Sequence, residues 1–201
     1  MAGIVTKLFK GLLLKAGMAL NKYTKDIAAK SLPEFGNAPR NLRILLPRDI
    51  TNPQAMFLGD DISFGPNCML KAIFKYPSAS MQHPEKKHKE QTFSPRIIIG
   101  NRVTATAGLQ LTAMSLVEIQ DDVMFASNVF ICDGQHGYNN VHEPYKYQGL
   151  DRILPIFIGK GCWIGQNTVI MPGVHIGEQS IVGANSMLTR SIPPRCIAAG
   201  S

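Results

Sequence analysis

Residues 158–188 read IGKGCWIGQNTVIMPGVHIGEQSIVGANSML, and their spacing decides the fold. Ile158, Ile164, Ile170, Ile176, Val182 and Leu188 recur at every sixth position, and glycine follows four of them, at Gly159, Gly165, Gly177 and Gly183. Cys162, Thr168, Val174, Ser180 and Ser186, mostly small, take the fourth place after each aliphatic. A helix repeats its apolar residues at three and four, and a half-buried strand alternates by two. A period of six suits a short strand ending in a turn, with three such units closing one triangular coil and the aliphatic pointing inward each time. Successive coils then stack as hydrogen-bonded parallel strands ~4.8 Å apart.

The same pattern runs upstream. Leu58, Phe64 and Leu70 carry it with Gly59 and Gly65; Ile99 and Leu111 carry it around Ala105; Ile119, Phe125 and Ile131 carry it after the phase slips near Val117. The spacing predicts about five coils over residues 41–201. Two stretches break the register and are expected to leave the solenoid as loops that carry function: 76–95, with the charged run Glu85 to Glu90, and 137–155, with Tyr138, Tyr145 and Tyr147. His83 and His88 fall in the first of these loops.

Residues 3–30 follow a helical period instead, within an expected helix-and-linker region of 1–40. Val5, Leu8, Phe9, Leu12, Leu13, Ala16, Ala19 and Leu20 share one side, with Lys7, Lys10, Lys15, Lys22 and Lys25 roughly opposite. Such a basic amphipathic helix either caps a coil or a neighbouring subunit, or lies on an anionic membrane surface.

The chain has 201 residues, is 45% hydrophobic and 17% charged, and so has the composition of a folded domain rather than a disordered one. Its net charge of +7 is concentrated in residues 1–40, which hold seven basic and two acidic side chains; residues 91–201 balance. The basicity therefore belongs to the appendage and does not suggest a nucleic-acid interface. No uncharged apolar run approaches the ~20 residues needed to span a bilayer. Lys15 interrupts the N-terminal apolar stretch and no small-residue cleavage site follows, so a cytoplasmic location is expected, with peripheral contact at the inner membrane surface as an option for the helix. Four widely spaced cysteines, Cys68, Cys132, Cys162 and Cys196, are expected to be reduced thiols.

The stretch Ile156 to Gly200, with its W-I-G, G-A-N-S and I-P-P-R-C-I-A-A-G segments, resembles the C-terminal coils of hexapeptide-repeat acyltransferases, most of all sugar O-acetyltransferases of the maltose, galactoside and nodulation type and relatives from surface-polysaccharide pathways. Asp122 to Tyr138 (DVMFASNVFICDGQHGY) is similar to the segment that carries the catalytic histidine of that family, and Pro47 to Gly65 to its opening coil. The resemblance implies a left-handed parallel β-helix, a homotrimer, and acetyl-coenzyme A in the groove between two solenoids. It also implies His136 as the general base that takes the proton from an acceptor hydroxyl. An imidazole suits this work because it changes charge near neutral pH.

By position in the motif, Trp163, Ala184, Thr189 and Arg190 are implied as coenzyme A contacts. Asp133 and Tyr138 are expected to meet the acceptor, with Asp133 or Glu143 as candidates for orienting the imidazole. Where many relatives read D-H-x-H this chain reads D-G-Q-H, so a first histidine is missing. Relatives continue past A-A-G with a proline, an alanine and a basic residue, whereas Ser201 follows Gly200 here. No metal is expected. Three other functions share such a scaffold: an antibiotic-modifying O-acetyltransferase, a zinc-dependent hydratase resembling carbonic anhydrase, which needs three converging histidines, and a non-catalytic solenoid.

Overall fold

The computed structural model describes residues 2–78, 81, 85 and 90–200; His83 and His88 lie outside the described residues. Two compact units divide the chain, Met1–Leu32 and Pro33–Ser201. In the first, Ala2–Lys30 is an α-helix. Phe9, Leu12, Leu13, Leu20, Tyr23 and Ile27 are exposed and fall, at ~100° per residue, on one arc of that helix.

The second unit is a left-handed parallel β-helix whose three faces are sheets of seven, six and five short strands among the described residues. The first sheet runs from Arg43–Ile44 to Ile197–Ala198, the second from Arg48–Thr51 to Met187–Leu188, and the third from Met56–Leu58 to His175–Ile176. The register keeps inward residues above one another: Phe64 pairs with Ala105, Phe125 with Ile164, and Ile131 with Ile170. Following the chain around the three faces gives five complete coils, a sixth with two strands and an isolated Ile176–Ile192 bridge on its third face, and one strand of a seventh, in keeping with the about five that the repeat predicted. In the first coil Ile44 and Leu58 fill inward positions, and Gly59 follows Leu58.

The six aliphatics from Ile158 to Leu188 are all buried, and so is the row of small residues beside them. Each hydroxyl in that row has a backbone acceptor: Thr168 Oγ1 donates to Gly165 O (2.7 Å), Ser180 Oγ to Pro193 O (3.0 Å) and Ser186 Oγ to Gly183 O (2.7 Å). Small polar residues thus close the tight corner without leaving an unpaired group in the core. Corners before the second sheet use Asn67, Asn128, Asn167 and Asn185 with positive φ, a conformation asparagine tolerates. Their amides stack as a ladder, Asn128 Nδ2 donating to Asn167 Oδ1 (3.3 Å) and Asn167 Nδ2 to Asn185 Oδ1 (3.0 Å).

Residues 33–40 bond along the opening edge of the solenoid. Gly36 N donates to Met56 O (2.9 Å), and the Asn37 amide both donates to Leu58 O (2.7 Å) and accepts from Leu58 N (2.9 Å). These bonds satisfy an edge strand that has no coil below it.

Candidate active site

Both long loops leave the solenoid from the same corner. The strand Cys68–Ala72 precedes the first and Phe130–Cys132 the second; both lie in the second sheet, separated by Gln110–Ala113 of the intervening coil. That middle coil turns tightly at Met114 and Ser115 into Leu116–Ile119 without a loop. The two loops therefore meet above the turn. Each opens as a two-residue antiparallel pair, Lys75–Tyr76 with Gln91–Thr92 and Gln135–His136 with Leu150–Asp151.

His136 stands at the base of the second loop, its side chain exposed, in register with Leu150. Its Nδ1 lies 3.2 Å from Tyr76 Oη, and the two rings meet edge to face with centroids 5.5 Å apart. Tyr76 is buried and also donates to Lys146 O (3.4 Å). Burial raises its phenol above the ordinary value, so the proton stays on the oxygen at neutral pH. Gln91 then ties the loops together: its Nε2 donates to Leu150 O (2.8 Å), and its Oε1 accepts from Leu150 N (2.7 Å).

In front of this pair lies a cavity of about 500 Å³. Its apolar walls are Ile73, Met81, Met114, Phe130, Met171 and Pro172, with His136, Tyr76 and Lys75 as polar groups at its edge. A cavity of this size and lining, with few convergent polar groups, is the usual form of a small-molecule site.

The other sequence-predicted residues are placed elsewhere. Asp133 is fully buried, and its two carboxylate oxygens accept from Met114 N (2.7 Å) and Ser115 N (2.6 Å). It fastens the tight corner and neither lines the cavity nor touches His136, so the expected acceptor contact and the orienting role are both replaced by a structural one. Burial raises its carboxyl above the ordinary range despite the backbone amides that favour the charged form. Glu143 lies out in the loop, its backbone carbonyl accepting from Gln148 Nε2 (2.9 Å). Tyr138 is 60% exposed and does not line the cavity.

Trp163, 47% exposed, lies on the first sheet between Met124 and Ile181 of the neighbouring coils. Ala184 is exposed at a corner. Thr189 and Arg190 line a separate surface depression of about 370 Å³ with Ser191, Ile192 and the backbone of 198–200. No residue of this group lines the His136 cavity in one chain. His175 stacks on Phe157 of the adjacent coil (5.8 Å between centroids), and His142 lies in the loop. The four cysteines are free thiols. Among the described residues no three His, Cys, Asp or Glu side chains cluster as a metal site, and no helix is long and apolar enough to cross a membrane.

Tyr76 and Gln91 are site residues that the sequence pattern did not reveal. Neither belongs to the repeat, and sixty residues separate Tyr76 from His136. The available signal was topological: two register breaks at the same corner of the prism, two coils apart.

Comparison with known proteins agrees with this architecture. Residues 155–190 match the Hexapep family, described as bacterial transferase hexapeptide (six repeats). The galactoside O-acetyltransferase of Escherichia coli strain K12 is 38% identical over 109 residues, 54% of this chain and 52% of that protein. The putative lipopolysaccharide biosynthesis O-acetyl transferase WbbJ of the same strain is 32% identical over 110 residues, 52% of this chain and 56% of that one. The chain thus spans about half the length of these curated relatives. Among solved structures, a mutant of AntD, an N-acyltransferase from Bacillus cereus in complex with dTDP and coenzyme A, superposes with a TM-score of 0.60 at 20% identity over 83% of this chain and 80% of that one. The solenoid has the same fold as that N-acyltransferase, and residues 155–190 carry the hexapeptide transferase repeat. In sequence it is similar to the two O-acetyltransferases above.

Proposed function

We propose that this protein transfers an acetyl group from acetyl-coenzyme A to a hydroxyl of a sugar or glycan intermediate, with His136 as general base. The observation that carries the proposal is the placement of His136: an imidazole held by a phenol behind it, opening onto a cavity between two functional loops of a transferase-type solenoid. In the reaction the acceptor oxygen attacks the acetyl carbonyl carbon while its proton passes to the imidazole. Collapse of the tetrahedral intermediate breaks the C–S bond, and the proton passes from the imidazolium to the departing thiolate. The chain's contribution is to hold the hydroxyl and the base together, and a positioned base of this kind supplies about 10²–10⁴-fold.

Arg190 and Thr189 suit the nucleotide end of coenzyme A, because a guanidinium offers a planar fork to phosphate and the depression they line is open and polar-rimmed. Trp163 offers an exposed aromatic face for the pantetheine arm. Thr189 and Arg190 follow the second sheet at the same corner as His136, one coil beyond the Met171 and Pro172 that line its cavity, whereas Trp163 lies on the first sheet; with Trp163 as a donor contact, the complete site is read as a groove between copies in a homotrimer. The basic helix supports a peripheral position on an anionic membrane surface, where a lipid-linked acceptor is presented.

A second reading is supported by the cavity walls. Three methionines, a phenylalanine, an isoleucine and a proline favour an acceptor with an apolar portion, which an antibiotic or another xenobiotic alcohol supplies as readily as a glycolipid. Thiol release from acetyl-coenzyme A, measured against nucleotide sugars, lipid-linked oligosaccharides and hydroxylated antibiotics, tests both. Acceptor-dependent release with one of the glycan classes supports the first reading, and release with antibiotics alone supports the second. Absence of both turnover and coenzyme A affinity contradicts the enzyme assignment.

A further inference from the structure

We infer that Tyr76 is a positioning residue that fixes the tautomer of His136, holding the proton on Nδ1 and leaving Nε2 free as the base. This rests on the proposed acetyl transfer and adds to it the group that prepares the base.

Counting donors and acceptors decides the direction of the hydrogen bond. Three atoms lie in a chain: His136 Nδ1, Tyr76 Oη and Lys146 O, with contacts of 3.2 and 3.4 Å. A backbone carbonyl only accepts, and a phenol has a single hydrogen to give. If that hydrogen goes to Nδ1, Lys146 O loses its donor and Nε2 carries the ring proton, which removes the lone pair a base requires. If it goes to Lys146 O, the phenol oxygen accepts from Nδ1–H, all three atoms are satisfied, and the lone pair resides on Nε2. Only the second arrangement lets the buried phenol serve both contacts at once, giving its hydrogen to one and accepting at the other.

The supporting structure is built to keep the chain of bonds in place. Tyr76 is only 8% exposed, its ring packs edge-on to the imidazole at 69°, and its phenol retains its proton because burial disfavours the phenolate. Lys146 belongs to the second loop and Tyr76 to the first, so the relay depends on the loops staying docked. Gln91, in register with Tyr76, supplies that docking through its two bonds to Leu150, which is itself in register with His136. A carboxylate behind a catalytic histidine would add a negative charge to the pair. Here a neutral phenol orients the ring, and the nearest acid along the chain, Asp133, is spent on the corner of the coil below.

Long-range 1H–15N correlation spectra of protein labelled with 15N-histidine test this directly, with the His136 signals assigned by their loss in His136→Gln. In the wild type at a pH where the ring is neutral, Nδ1 is expected to show a pyrrole-type shift and Nε2 a pyridine-type shift. An Nε2–H ring in the wild type overturns the inference, whatever any variant does. Tyr76→Phe keeps the edge-on ring and removes the oxygen. It should move the neutral ring toward Nε2–H, lower kcat by roughly 10- to 100-fold with acceptor KM little changed, and displace the acidic limb of the kcat profile. An unchanged tautomer ratio and an unchanged pH profile in Tyr76→Phe also overturn it. Failure of the underlying function appears separately: His136→Ala would keep full turnover, while the wild-type spectrum still reports which nitrogen holds the proton.

Discussion

Asp133 shows how one side chain can sit three residues from a proposed base and do structural work. Two residues before Gln135 and three before His136, it lies in the segment that resembles the histidine-bearing stretch of the transferases, yet its oxygens hold the Met114 and Ser115 amides at 2.7 and 2.6 Å. Asp133→Ala leaves the buried Met114 amide and the half-buried Ser115 amide without their acceptor, and a loss of about 2–4 kcal/mol is expected from denaturant unfolding. Because burial raises the folded-state carboxyl above its unfolded value, the charged form is the less favoured one in the native protein. The stability that protonation of Asp133 contributes is therefore fully present below the ordinary Asp value of ~3.9 and is lost as pH rises through the raised folded value. Unfolding free energy of the wild type minus that of Asp133→Asn should accordingly decline with pH across that window. A difference that rises instead would show that the two amides outweigh burial.

Among the elements, the coils from Ile158 to Leu188 were the most legible part of the chain, since hexad spacing records an inward row directly and all six residues are buried. Where a glycine follows the inward aliphatic, it allows close approach of the next coil. A Cβ on Gly165 would come within 2.6 Å of Ala184 N and Val182 O, both backbone atoms of the next coil, which cannot move aside without breaking the stack. Gly165→Ala should lower the melting temperature by several degrees or more, whereas alanine at Gly17 of the helix, where nothing lies within 4 Å, should raise helicity or leave it unchanged. Circular dichroism melts of the two variants check the contrast. The first coil was less legible because Asn37, not a lower coil, completes its edge. Tyr76 and Gln91 escaped detection for a related reason: their partners are set by which corner the loops leave, and residue periodicity does not encode that.

For the whole molecule, the proposed placing of Trp163 on a different sheet from His136 has a consequence for assembly. His136 and its cavity lie at the loop corner, while Trp163 belongs to the first sheet and Thr189 with Arg190 to a separate depression. On the proposed reading, Trp163 reaches the donor only from a second copy, which completes the groove. Light scattering should give about 66 kDa, three times the chain mass of 22.0 kDa. Co-expressed His136→Ala and Trp163→Ala chains should recover part of the activity absent from either alone, because some grooves then combine intact halves. A monomer with full activity would contradict this account of the site.

The most direct test of the central claim is a rapid-quench measurement of acetyl transfer from acetyl-coenzyme A in wild type and His136→Ala, each first shown by circular dichroism to be folded. The account predicts that the variant binds acetyl-coenzyme A as the wild type does while its transfer step slows by about 10²–10⁴-fold. Transfer by His136→Ala at the wild-type rate would contradict it.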